Sequence, residues 1–330
     1  MKRFVLFAAA VLLLSACTRE SVNTETEIET PSDAAVSASA VQTSETTAWP
    51  LPPDEAVFVP EATFASTPEP APFGLCGVRF SDKFSDTPVK EERAYRSSSI
   101  GISIETKTVK ETYGKSVTYY VADLYVQDAT SIRTEAARGD FGMRYTRKVK
   151  EIAADAGALL AIDGDTYTHV KKSFVIRNGV LYRDTLIDGT DLCVLYRDGR
   201  METKKWGTFT REEIIDSDPW QVWGFGPALL DETGRAMEIS HELMGPNPRA
   251  AIGYYEPGHY CFVIVDGRGE SGSGITLTNL SRLMEDLGCK AAYNLDGGAS
   301  AQMYWDGEII NRSCNEGRTI SDIIYLLPEE

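Results

Sequence analysis

The chain has 330 residues and a formal net charge of −16. That length suits one sizeable domain or two small ones. The acidic balance, with no basic cluster beyond Arg144–Lys150, excludes an electrostatic nucleic-acid binder.

In chain order, Met1–Cys17 reads as a signal peptide. Lys2 and Arg3 supply the positive end, Phe4–Leu14 the apolar stretch, and Ser15-Ala16 the small residues. The apolar stretch is shorter than the roughly 20 residues a bilayer span requires. Leu14-Ser15-Ala16-Cys17 resembles the lipobox of bacterial lipoproteins, which implies lipidation at Cys17 and an extracytoplasmic protein anchored to the cell membrane. Thr18–Pro72 is rich in Ser, Thr, Ala, Pro and Glu, with ten acidic residues against one basic. Without a sustained apolar period it cannot bury enough surface to offset the entropy of ordering. A disordered acidic tether is therefore expected over 18–90, followed by one domain over 91–330.

Ile100–Val109 alternates apolar and polar residues and Val117–Val126 is rich in β-formers, so both are expected to be strands. Tyr145–Ala156 has helical spacing and stops at Gly157. Ala158–Ile162 reads as a buried strand. Phe174–Arg183 and Leu192–Thr203 read as hairpins turning at Asn178-Gly179 and Asp198-Gly199. Thr210-Arg211-Glu212-Glu213 fits a helix capping box. Val222–Ala236 bends through Gly224-Phe225-Gly226-Pro227. Strands are expected at Ala250–Tyr255 and Tyr260–Val265, then an amphipathic helix at Leu277–Leu287 between Thr276 and Gly288. The run Ala291-Ala292-Tyr293 reads as a strand. Ala301–Trp305 and Glu308–Asn311 form a hairpin about Asp306-Gly307, and Thr319–Leu327 closes the chain as an apolar strand. Many strands and few helices, mixed along the chain, predict an α+β domain.

Three apolar runs end in a carboxylate followed by glycine: Asp163-Gly164, Asp266-Gly267 and Asp296-Gly297. Strand ends of this kind can gather at one rim and line a polar surface cleft. Asn294-Leu295-Asp296-Gly297-Gly298 exceeds the needs of a turn, because adjacent glycines let backbone approach a ligand closely. Arg249, Arg268 and Arg318 bring guanidinium forks, which suit a phosphodiester oxygen. Paired carboxylates suit glycoside cleavage.

Six motifs occur in order: Ala161-Ile162-Asp163-Gly164-Asp165, Phe225-Gly226-Pro227-Ala228-Leu229-Leu230, Asn247-Pro248-Arg249-Ala250-Ala251-Ile252-Gly253, Val265-Asp266-Gly267-Arg268, Asn294-Leu295-Asp296-Gly297-Gly298 and Gly317-Arg318-Thr319-Ile320-Ser321-Asp322. Together, over about Ala94–Leu327, the chain resembles the phosphodiester glycosidase family. The resemblance implies an α+β fold and hydrolysis of a sugar-1-phosphodiester resembling a GlcNAc-1-phosphodiester, in cell-envelope or extracellular glycans. The chain departs from the usual pattern at Asp163, where Asn is more frequent, and at Ala299, where the glycine run usually continues.

On this reading Asp163, Asp266, Asp296 and Arg249 are the catalytic candidates. Arg268, Asn294, Gly297, Gly298, Ser300 and Arg318 are the substrate-binding candidates, with the glycines as backbone donors. The expected partners are the phosphodiester-linked sugar and, through Cys17, the membrane. No cofactor is expected; a divalent cation would have to sit among Asp163, Asp266 and Asp296. Beyond Cys17 the cysteines number five, so they cannot all pair internally. Cys193, Cys261 and Cys289 lie in apolar runs and read as buried thiols. Neither a CxxC nor an HExxH spacing occurs. The rival readings are a non-catalytic glycan- or teichoic-acid-binding lipoprotein and an envelope-assembly scaffold.

Overall fold

The computed structural model describes residues 75–76, 79–109, 116–141, 145–169, 173–239, 245–268 and 272–329. All of them fall in the compact unit Ala56–Glu330. The expected signal peptide, Cys17 and the stretch Thr18–Pro72 lie outside the described residues. No helix among the described residues is long and apolar enough to cross a membrane.

The architecture is α+β, with three antiparallel sheets. The largest has seven strands in the order Val89–Lys90, Ala94–Arg96, Ile100–Val109, Val117–Val126, His259–Val265, Arg249–Glu256, Ala291–Asn294. A second sheet runs Met201–Lys204, Leu192–Tyr196, Pro219–Trp223, Phe174–Arg177, Val180–Asp184. A third runs Glu308–Ile309, Met303–Trp305, Leu160–Asp163, Asp322–Leu326, Arg133–Ala136.

Both faces of the large sheet are covered, which explains why its central strands read as continuous apolar runs rather than alternating ones. On one face Leu124, Ile252, Phe262 and Ile264 pack with Leu160, Ile162 and Ile324 of the third sheet and with Leu195 and Trp223 of the second. On the other, Val121, Ala251, Cys261 and Val263 pack under helix Leu277–Asp286 through Leu280, Leu283 and Met284. Each buried Leu, Ile, Val, Phe or Met among them contributes about 1.5–3 kcal/mol by leaving water. That helix starts where Thr276 accepts from the Asn279 N–H, and the chain leaves it through Gly288 at φ 84°.

Most expected elements appear within a residue or two. The helix expected over Tyr145–Ala156 is shorter, Val149–Asp155, because Arg147 exchanges two backbone bonds with Ile320 and is held extended. The last strand is correspondingly Asp322–Leu326. The hairpin turns fall at Asn178-Gly179 and Asp306-Gly307, each pair at positive φ. Residues ahead of 91, expected in the tether, also join the fold. Leu75 N–H bonds to the Gln127 carbonyl, Cys76 is buried, and Val89–Lys90 pairs with Ala94–Arg96. Short polar spacing between these residues hides them in a composition count.

The topology brings the motifs together. Arg249 opens its strand opposite Val265, and Asn294 closes its strand opposite Ala251, so one rim of the large sheet carries Arg249, Asp266 and Asn294. The third sheet meets this rim where the Asp296 N–H donates to the Gly164 carbonyl, 3.0 Å away.

Candidate active site

Asp163 ends a strand buried on every side and has no exposed surface itself. Its Oδ1 accepts from the Gln302 N–H at 3.1 Å, while Oδ2 has no hydrogen-bond partner among the described residues. Burial, and then the nearby Asp296, hold this carboxyl well above the usual carboxylate range; the Gln302 N–H and Arg318 pull the other way.

Asp296 is buried at the start of a tight turn and is held by donors alone. Gly297 N–H reaches Oδ1 at 2.8 Å and Ser300 Oγ reaches Oδ2 at 2.6 Å. Arg318 Nη2 lies 2.7 Å from both oxygens, and Arg318 Nε donates to Ser300 Oγ. Arg318 is half exposed, so this ion pair links the buried carboxylate to solvent. Charge-assisted bonds of this geometry are stronger than neutral ones.

Two further arginines flank the same turn. Arg249 is buried, donates to the carbonyls of Ile275 (3.2 Å) and Gly245 (3.4 Å), and lies near Gly297. Burial, with Arg268 beside it, brings its pKa down to about 10. Arg268 is exposed and sits at φ 56°, a left-handed backbone that costs a non-glycine residue energy and concentrates at functional sites. Its Nε and Nη2 both donate to Asn247 Oδ1, at 2.8 and 2.5 Å. No carboxylate among the described residues pairs with it. A Cβ on Gly298 would lie 3.4 Å from Arg268 Nη1, so the guanidinium rests on bare backbone. Arg249, Arg268 and Arg318 thus converge on Asp296-Gly297-Gly298.

Three expectations change. Gly297 and Gly298 are not backbone donors to a ligand, because their N–H groups are taken by Asp296 Oδ1 and the Pro248 carbonyl. They give room instead: a Cβ on Gly297 would lie 2.9 Å from the Pro248 oxygen. Ser300 is fully buried and supports Asp296 and Arg318 rather than facing outward. Asp266 turns away from Asp163 and Asp296: Asn311 Nδ2 donates to it at 3.0 Å and Arg312 N–H at 3.3 Å. Burial raises its pKa against those bonds. Among the described residues no three His, Cys, Asp or Glu side chains are grouped to hold a metal ion. Asn294 donates to the Gly226 carbonyl at 2.7 Å, and its buried Oδ1 has no partner among the described residues. The five described cysteines are buried free thiols.

The phosphodiester glycosidase family profile matches residues 156–327, which contain every one of these side chains. The chain belongs to this family. It is 32% identical over 142 residues to the SPbeta prophage-derived uncharacterized protein YomE of Bacillus subtilis (strain 168), a match covering 41% of this chain and 22% of that protein. The chain thus spans about a fifth of that curated relative. Its fold is similar to the catalytic domain of zebrafish N-acetylglucosamine-1-phosphodiester alpha-N-acetylglucosaminidase, in a structure auto-inhibited by the pro-peptide. The TM-score is 0.58 at 19% identity, covering 75% of this chain and 86% of that one. A likeness this distant speaks for the fold.

Sequence reasoning missed the roles of several residues in and around these motifs. Asn247, which aims Arg268, stands two residues before Arg249. Gln302 and Asn311, which hold Asp163 and Asp266, follow the glycine turn without any signal of their own. Arg177 and its partners, described below, fall in the same class.

Proposed function

We propose that this protein hydrolyses a sugar-1-phosphodiester between the anomeric carbon and the phosphate oxygen. The observation that carries the reading is Arg268: an exposed guanidinium aimed by a neutral amide, without a carboxylate partner among the described residues, above the turn that holds Asp296. Together with Arg318 and Arg249 it offers concentrated positive charge to a phosphate, in forks that match its oxygens. Water attacks the anomeric carbon, the carbon–oxygen bond breaks, and its electron pair leaves on the phosphate oxygen. The arginines stabilise that developing charge. Asp163, whose carboxyl burial and then Asp296 raise well above the usual carboxylate range, suits a proton donor, and Asp296 suits the acceptor of the water's proton. The zebrafish relative's name supports a GlcNAc-1-phosphodiester-like substrate. Lys2–Cys17 supports an extracytoplasmic enzyme anchored through Cys17 and acting on envelope or extracellular glycans.

The test compares kcat/KM for a GlcNAc-1-phosphodiester and the matching neutral glycoside, in wild type and Arg268→Lys. Wild type should prefer the diester by about 100-fold or more, and the ammonium should lose most of that preference. Equal rates on both substrates in wild type would sink the assignment.

A further inference from the structure

Behind the site lies a fully buried arginine that the chemistry above does not use. Arg177 ends the strand Phe174–Arg177 with no exposed surface. Its Nη2 lies 2.8 Å from Asp165 Oδ2 and its Nε 2.9 Å from Asp322 Oδ2. Nη1 donates to the carbonyls of Ile176 and Val222. The fork therefore joins the second sheet to the third at one point.

Each of its two aspartate partners in turn grips a piece of the site. On one side, the Asp322 carbonyl accepts from Gly164 N–H at 2.9 Å, and the Asp322 carboxylate occupies the space a Cβ on Gly164 would need. Gly164 follows Asp163 directly, and its carbonyl receives the Asp296 N–H. On the other side, Asp165 Oδ2 accepts from Gly224 N–H at 3.1 Å, and Oδ1 from Tyr167 N–H at 3.1 Å. Gly224 opens the bend whose Gly226 carbonyl takes the Asn294 amide. Asp163, Asp296 and Asn294 thus all reach their places through backbone that Arg177 holds at one remove.

We propose that Arg177, bridging Asp165 and Asp322, is the positioning residue that sets the spacing of Asp163 and Asp296; this rests on the hydrolytic reading of that pair. A buried arginine could serve stability alone, in which case any folded substitution would leave the pair's geometry intact. The bonding path argues otherwise, because only two backbone links separate the Arg177 fork from each carboxylate. Charge is consistent with the role. Burial raises the Asp322 carboxyl to about 8, against the pull of Arg177 and with the push of Asp165. Tyr167, whose hydroxyl is also raised by burial and by Asp322, faces the same cluster.

The experiment is Arg177→Lys in the full chain. A lysine keeps the charge but cannot span both carboxylates. Hydrogen–deuterium exchange at the Asp296 amide should quicken about tenfold or more relative to the amides of His259–Val265, since its bond to Gly164 loosens. Diester kcat should fall about tenfold or more with KM within about threefold, because the phosphate-holding arginines are untouched. If Arg177→Lys does not fold, Asp322→Leu severs one arm while leaving Arg177 paired with Asp165, and should quicken the same amide. Unchanged Asp296 exchange in the folded variant overturns the proposal, as does a risen KM with unchanged kcat. A wild type inactive on the diester refutes the hydrolytic reading alone, and the exchange result still decides the positioning.

Discussion

Gly298→Ala separates the arginine cluster from general stability. Gly298 sits at φ 65°, where an L-residue costs about 1–2 kcal/mol. Alanine also lowers the entropy of the unfolded chain, which offsets about 0.4–1 kcal/mol. The net loss is about 1 kcal/mol, a fall in Tm of about 2–4 °C for a domain of this size. The new methyl would sit 3.4 Å from Arg268 Nη1 and 3.6 Å from its Cζ. The end of an exposed side chain can yield a few tenths of an ångström, so the strain adds little to instability but re-aims the fork. Diester kcat/KM should fall about tenfold, since misplacements below an ångström are felt at reacting groups. Cleavage of the neutral glycoside should hold. Thermal melts and paired kinetics on both substrates measure this. Unchanged diester kinetics, or equal losses on both substrates, would refute the placement of Arg268 over the phosphate. The neighbouring Gly297→Ala meets the Pro248 carbonyl at 2.9 Å, and backbone cannot yield as a side chain does, so it should cost stability rather than selectivity.

Asp296→Asn replaces an acceptor with a donor beneath Ser300 and Arg318; diester kcat should drop by about 10²–10⁴ with the protein still folded by near-ultraviolet circular dichroism. Turnover within about twofold of wild type would assign Asp296 to structure alone. Asp322 links stability to pH. Its folded pKa of about 8 stands above the free value of about 3.9, so its contribution is complete below that free value and is lost as pH rises through 8. Tm should therefore fall more steeply between pH 5 and pH 9 in wild type than in Asp322→Asn, and parallel curves would contradict this. Cys17→Ala should move the protein from the membrane fraction to the soluble one; retention at the wild-type level would remove the lipid anchor.

Local order was legible wherever neighbouring residues decide it. Ile100–Val109 and Val117–Val126 appear with the expected bounds, and the Thr210 capping box and the Asn178-Gly179 turn follow from their own side chains and φ preferences. Helix Val149–Asp155 lost its first turn to a strand partner, Ile320, that lies far off in sequence. The motifs marked the site's neighbourhood for a similar reason: glycine and carboxylate together are an unusual way to end a buried strand. Which carboxylates would meet was another matter. Asp266 and Asp296 carry the same local signature, yet Asn311 draws one aside while Arg318 and Ser300 hold the other.

By itself, then, the amino-acid order determined the strands, the turns, the family and the residue types available for chemistry, because those depend on contacts a few residues apart. Only the tertiary structure decided that Asp296 bonds to the backbone beside Asp163, that Gly297 and Gly298 spend their N–H groups internally, and that Arg177 stands behind these two carboxyls. Those outcomes depend on which buried donors and acceptors find partners once three sheets close on one another, and burial is a property of the whole fold.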